Sequence, residues 1–374
     1  MEKCYSLDKT KFSVDWLNIR LDVSHIEYFI LRFLKKFNLS SSDLAVRSSG
    51  GVCFFENAYY LPAAGYSSVL FCYNVDDQGH YVSQSYFGRP GGVFISLSGD
   101  GCRYINSLIP DGMNEFVKFC SRFTYNCTRI DIACDFLDPN NKIVPLIQAF
   151  ALNYYNDDNN IGLACNLKRE NLVRINLEHD TFDGGYCPNV TIGSRASRKG
   201  TMQLYNKRLE VSRGRLSSIA EQTIEEYGVI DYWWRLEYRC KSFAQEVFTN
   251  LLECGVLSAF ACAMFNFGRF YDNKYGNSDK AETNEDWQVF SDWVMENAIH
   301  IVELVAQPYV KTSVSSTFKW CEHNASLLYR IAQIAFFNPE WYNELITKGL
   351  EKHHQNPRYR PFDEDFKEVF GCDL

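Results

Sequence analysis

Three short runs alternate a wholly apolar face with a face of charged or reactive groups, the signature of strands, whose successive side chains point to opposite sides of a sheet. In Arg129-Ile130-Asp131-Ile132-Ala133-Cys134-Asp135-Phe136, the residues Ile130, Ile132, Cys134 and Phe136 suit a core and leave Arg129, Asp131 and Asp135 on the other side. Trp234–Lys241 divides in the same way and gathers Arg235, Glu237, Arg239 and Lys241. In Thr201–Arg208, the side chains of Gln203, Tyr205 and Lys207 share one face. If the three polar faces coincide, carboxylates from two strands meet basic groups and a phenol.

The rest of the first two-thirds of the chain also reads as strands, including Val14–Leu21 and Gly92–Ser98, interrupted by two amphipathic helices. Ser24–Phe37 places Ile26, Phe29, Ile30, Phe33 and Phe37 at helical spacing behind a Ser24 cap, and Lys142–Tyr155 is the second helix. Beyond about Lys241 the pattern turns helical: Phe243–Phe270 is strongly apolar, and 271–280 is polar and loop-like. Trp287, Phe290, Trp293, Val294 and Ala298 then recur at helical spacing behind Thr283 and Asn284, as do Phe318, Cys321, Ala325 and Leu328, and Asn338-Pro339 caps a further helix. The expected fold class is α+β, with an antiparallel-sheet core over residues 1–242 and a mostly helical domain over 243–374.

A formal charge of −8 excludes a blanket electrostatic grip on nucleic acid, because non-specific affinity comes largely from neutralised phosphates. Any DNA contact must be local. One basic locality exists, where Arg195, Arg198, Lys199, Lys207, Arg208, Arg213 and Arg215 are accompanied by Glu210 alone among acids. The 14 cysteines are scattered without a Cys-x-x-Cys pair and read as small buried hydrophobes in reduced form. No run approaches the ~20 apolar residues of a membrane helix, and Met1–Ser6 lacks the apolar core of a signal peptide, so a cytoplasmic location and no membrane partner are expected.

Hard oxygen donors such as Asp131, Glu237 and Asp135 suit Mg²⁺ or Mn²⁺ rather than zinc. The same acids and arginines could instead pair across strands, and alternation by itself favours that more common use. A phenol ionises near pH ~10, so an attacking tyrosine needs cationic neighbours or a metal; Lys207 follows Tyr205 by two residues. With 23 tyrosines in the chain, spacing alone does not select one. Other signals carry less. No His-hydrophobe-His pair occurs, Ser98-Gly99-Asp100-Gly101 lacks P-loop spacing and reads as a tight turn, and His353-His354 diverge by about 100° on a helix. Alternation buries Trp234 and leaves Trp233, near the strand start, as the tryptophan free to stack on a base.

The run Thr191-Ile192-Gly193-Ser194-Arg195 followed by Gln203-Leu204-Tyr205-Asn206-Lys207 resembles the nucleophile region of the replication initiation factor family. That family includes rolling-circle plasmid initiators, phage replication proteins and relaxases of conjugative elements. Further segments agree in order: Val14–Leu17, Ser98–Arg103, Arg129–Asp131, Ala133–Asp135, Trp234–Glu237 and Phe318–Trp320. The acidic charge and the cysteine and aromatic content depart from plasmid initiators and suggest a divergent member.

The resemblance implies that Tyr205 becomes joined to a DNA 5′-phosphate, freeing a 3′-hydroxyl. Asp131 and Glu237 become metal ligands, with Asp135 a third, and Arg129, Arg235 and Lys207 phosphate contacts. Arg195, Arg198, Lys199, Arg208 and Arg239 complete the expected DNA-binding set. The implied core is a pseudo-two-fold, saddle-like sheet related to DNA clamps and TATA-binding proteins. Implied partners are single-stranded or cruciform origin DNA, a host helicase and polymerase, and a second copy of the chain. A conjugative relaxase and a non-catalytic DNA-binding regulator are the alternative functions.

Overall fold

The longest strands of the molecule form its centre. In the computed structural model, which describes residues 5–48, 50–85, 90–153, 161–165, 173–179, 186–193, 200–212, 232–272 and 282–298, β1 (Thr10–Asp22) and β6 (Thr124–Phe136) pair along their length. Around them, ten strands make one antiparallel sheet. On one side lie β5 (Val93–Leu97), β4 (Val69–Tyr73), β3 (Asn57–Tyr60) and β2 (Ala45–Val46); on the other lie β11 (Trp234–Cys240), β10 (Gly200–Asn206), β9 (Tyr186–Ile192) and β8 (Val173–His179). A separate pair joins β7 (Ile161–Cys165) to β12 (Gly268–Asp272).

The expected alternation is what seals one face of the sheet. Ile130, Ile132, Cys134 and Phe136 of β6, with Leu236 and Tyr238 of β11, are almost wholly buried. Against them pack α6 (Ala244–Cys254), α7 (Val256–Phe267) and α8 (Glu285–Asn297). Phe260 of α7 meets Phe12 at 5.0 Å and Tyr238 at 5.4 Å between ring centroids, and Phe290 of α8 meets Phe136 at 5.5 Å. Farther along the same face, Phe29 and Phe33 of α1 (Ile26–Lys36) pack on Phe71 of β4 and on Phe116 and Phe119 of α3 (Gly112–Cys120). Each such ring contributes about 1.5–3 kcal/mol on burial. On the opposite face, Phe55, Ala58, Leu70, Cys72 and Phe94 form a smaller cluster. It covers the β3–β5 end and leaves the polar face of β1, β6, β11 and β10 uncovered by that cluster.

Several expectations change in detail. Helix α1 starts at Ile26, so His25 rather than Ser24 holds the cap position, and it makes no side-chain cap bond. The second helix, α4, spans Ile143–Leu152. The apolar run after Lys241 is broken at Gly255, whose φ of 88° only glycine adopts readily, and it ends in β12. Asn284 caps α8 as expected, accepting from the Trp287 N–H at 3.3 Å. Ser98–Gly101 is not a turn but the start of α2 (Gly99–Leu108), capped by Ser98. Its Gly101 is needed for close approach, since a Cβ there would fall 1.9 Å from the Ser68 carbonyl oxygen.

The nine cysteines whose side chains are described are free thiols; seven are buried, Cys254 is half-buried and Cys53 is exposed. Among the described residues no helix is long and apolar enough to cross a membrane. The helices expected around Phe318–Leu328 and after Asn338 lie outside the described residues. Apart from 84, 85, 90 and 91, the described residues belong to one compact unit.

Candidate active site

The uncovered polar face holds a cleft of about 570 Å³. Strand β1 supplies Asp15 and Trp16, α2 supplies Asp100 and Arg103, and β6 supplies Arg129 and Asp131. From the other side come Gln203 and Tyr205 of β10, Glu237 and Arg239 of β11, and Lys207 and Glu210 of α5 (Lys207–Ser212). Register explains the convergence. Gln203 lies opposite Glu237, Tyr205 opposite Arg235, Arg235 opposite Asp135 and Arg239 opposite Asp131, so one parity of three strands points the same way. Tyr205 is the one tyrosine among the described residues lining the cleft.

Asp15 was not among the expected site residues. In β1, Val14 pairs with Ile132 but Trp16 pairs with Asp131, so Asp15 is an extra residue in a β-bulge. The bulge reverses the phase of the strand. Val14 and Leu17 therefore face the same core, and Asp15 and Trp16 reach the cleft, as bulges re-aim side chains beside active sites. Simple alternation cannot show this. A run such as Val14-Asp15-Trp16-Leu17, with apolar residues three apart in an otherwise strand-like segment, is the only trace it leaves in sequence.

Ion pairing organises the floor. Arg235 donates from Nε and Nη2 to the two carboxylate oxygens of Asp135, both at 2.7 Å, and from Nη1 to Asp15 Oδ1 at 2.5 Å. Arg235 and Asp135 are 5% and 3% exposed. Neither lines the cleft: Asp135, expected as a third metal ligand, and Arg235, expected as a phosphate contact, form a buried pair that positions Asp15. Above it, Arg129 donates to Asp131 at 3.0 and 2.5 Å while its guanidinium lies 4.2 Å from the Trp16 ring centroid. Arg239 reaches Asp131 at 3.2 Å and Glu237 at 3.9 Å. The cross-strand pairing that alternation favoured is therefore present, and an open polar cleft lies over it.

The Tyr205 hydroxyl donates to Glu237 Oε2 at 3.2 Å. Burial holds the phenol well above its ordinary pKa and the Glu237 charge pushes in the same direction, against the opposing pull of Arg235. Lys207 does not continue the strand. It opens α5, its N–H bonded to the Trp233 carbonyl at 2.9 Å, and its ammonium pairs with Glu210 while standing 5.6 Å from the Tyr205 ring centroid. Trp233 is 5% exposed and so is closed to base stacking; Trp16 is the cleft's tryptophan. Arg208 is half-buried in α5, and Arg195, Arg198 and Lys199 lie outside the described residues.

Burial, then repulsion from Asp15 and Asp131, pushes Glu237 up to about 8 despite Arg235 and Arg239. Asp15 moves the other way: burial opposes its charge, but Arg235, Lys207 and Arg103 outweigh it and hold its pKa below the ordinary value. Glu237 is thus the acid on which the local excess of negative charge falls. Its folded pKa lies above its unfolded one, so the folded state binds the proton more tightly and stability declines as pH rises from about 4.5 to about 8. In chelator, the Tm should fall across that window, and Glu237→Gln should flatten the fall. An equal fall in the variant would remove Glu237 as its source.

Among the described residues, no three His, Cys, Asp or Glu side chains form a ready-made metal cage. The donor chemistry nonetheless fits a hard divalent cation. Asp15, Asp131 and Glu237 are oxygen donors whose mutual repulsion a cation would relieve.

The comparisons with known proteins bear on the same strands. The replication initiation factor model matches residues 125–342, a span that contains Asp131, Tyr205 and Glu237. A rolling-circle replication initiator protein from Geobacillus stearothermophilus is similar in fold, with a TM-score of 0.55 and 16% identity over 79% of this chain and 100% of that one. No curated protein matches the chain. Because the family match covers more than half of its residues, including both strands that carry the cleft's tyrosine and its most perturbed acid, the chain belongs to the replication initiation factor family.

Proposed function

We propose that this protein nicks and rejoins single-stranded DNA at a replication origin by way of a 5′-phosphotyrosine at Tyr205. The observation that carries the reading is the one tyrosine that lines the cleft among the described residues, hydrogen-bonded to Glu237 among acids and arginines. In the forward step the Tyr205 oxygen attacks phosphorus and the bond to the 3′-oxygen breaks. Once Glu237 is ionised, the phenol proton passes towards its Oε2, the present acceptor, and is returned to the departing 3′-oxygen. The reverse attack by a 3′-hydroxyl reseals the strand, so the bond energy is kept and no nucleotide is consumed.

Asp131, Glu237 and Asp15 would hold Mg²⁺ or Mn²⁺, which when bound would favour the phenolate and offset charge on the phosphoryl oxygens. Arg129 and Arg239, already on the cleft wall, place positive charge beside the phosphate while staying paired with Asp131. Trp16 packs against Arg129, its ring centroid 4.2 Å from the guanidinium. We also propose the family's pseudo-two-fold, saddle-like sheet, which would lay a strand along the polar face, and a dimer that recruits a host helicase and polymerase. A conjugative relaxase would use the same chemistry and differ in its partners.

The test uses Mn²⁺ and labelled single-stranded oligonucleotides from the protein's own replicon. A denaturation-resistant adduct on the 5′-phosphate side should form, and chelation should abolish it while leaving DNA binding nearly unchanged. Firm binding with no adduct under any divalent cation would favour a non-catalytic DNA-binding regulator instead.

A further inference from the structure

Among the described residues four cations line the cleft, and they are not equally committed. Arg129 grips Asp131 with two hydrogen bonds, Arg239 is held between Asp131 and Glu237, and the buried Lys207 pairs with Glu210. Arg103 differs. Its ion-pair partner is Asp100, one turn earlier on α2, at 3.2 Å, and both side chains are about a third exposed (31% and 32%). Such surface pairs contribute little, about 0–1 kcal/mol, and exchange readily for a better anion. The buried Arg103 Nε has no hydrogen-bond partner among the described residues, leaving donor capacity unused there. The side chain also lies close enough to Asp15 to lower its pKa.

We propose that Arg103 is a phosphate contact for the bound single strand, released from Asp100 as the DNA enters. The inference rests on the strand-transfer reading for the identity of the ligand, a phosphodiester, but not on the chemistry at Tyr205. A polyanion entering a cleft that also carries Asp15, Asp100, Asp131, Glu210 and Glu237 needs a cation that can turn towards it without uncovering a buried acid. Arg103 meets that condition. Its pair can open to water, whereas opening the Arg129 or Arg239 contacts strips the buried Asp131.

Fluorescence anisotropy with a single-stranded oligonucleotide tests this in a double-mutant cycle of Arg103→Gln and Asp100→Asn, with adduct formation followed on the same proteins. Arg103→Gln should weaken binding about 10-fold and reduce the slope of log K against log salt by about 0.7, the value for one phosphate contact on a single strand. Asp100→Asn should tighten binding in the native background and do so less when Arg103 is absent, because its benefit comes partly from freeing that side chain. Arg103→Lys should restore most of the salt slope. An unchanged slope in Arg103→Gln, or an Asp100→Asn effect independent of Arg103, would overturn the proposal. If the native protein forms no adduct yet Arg103 governs the slope, the strand-transfer reading fails and the phosphate contact stands.

Discussion

Tyr205→Phe should abolish the covalent adduct, lowering its rate of formation by at least about 10³-fold, while single-stranded DNA binding stays within about 3-fold of the native protein. The substitution removes one oxygen. The ring beside Lys207 and the strand pairing opposite Arg235 are kept, so the loss reports the nucleophile rather than the fold. No other tyrosine among the described residues lines the cleft to take over the reaction. Denaturing gels of Mn²⁺ reactions, with anisotropy on the same preparations, give both numbers. An adduct that persists in the variant would move the nucleophile elsewhere.

Arg235→Met should be the most damaging single change to stability in the cleft floor, costing about 3–5 kcal/mol, because a buried carboxylate pair then loses its cation. Asp135 is 3% exposed and takes two of the guanidinium's hydrogen bonds, and Asp15 takes the third. In a unit of this size that loss corresponds to a Tm lower by roughly 10 °C. Arg235→Met combined with Asp135→Leu should recover most of it, since removing both charges of a buried pair is close to neutral. Arg235→Lys should fall between, keeping the charge but not the planar fork. Calorimetry distinguishes these outcomes. A single variant within 1 kcal/mol of the native protein would mean that water or another cation already reaches Asp135.

The same two residues show what was legible in the sequence. Alternation placed Asp131, Asp135, Arg235, Glu237 and Tyr205 on one face of neighbouring strands, because a strand's period of two is fixed by backbone geometry. It could not tell which of them line the cleft. Asp135 and Arg235 lie opposite each other in the register and pair with each other, whereas Asp131 and Glu237, just as buried, line the cleft. Which side chains border open space depends on the elements that stand over each strand, and that is settled by tertiary packing. Asp15 was hidden for another reason: a bulge adds one residue to β1 and reverses the parity on which the reading depended. At Lys207 the strand gives way to a helix, so counting by twos failed one residue too late. Arg103 was obscured by reading Ser98–Gly101 as a turn, although Ser98 followed three residues later by the next backbone donor is also how a helix begins.

The helical character after Lys241 was legible from its period, and the Asn284 cap was too. Less accessible was the division of labour between the faces. Helices α6 to α8 all cover the apolar side, and this is why the polar side of the same strands is left to form a cleft.

Peptide mapping of the covalent complex tests the central claim most directly. After nuclease trimming of the Mn²⁺-dependent adduct, trypsin should release Gly200–Lys207, which contains Tyr205 and no other tyrosine, with a 5′-linked nucleotide attached. A nucleotide found on that peptide, joined through the tyrosine oxygen, is the predicted result; the same mass shift on any other peptide, with Gly200–Lys207 unmodified, would contradict it.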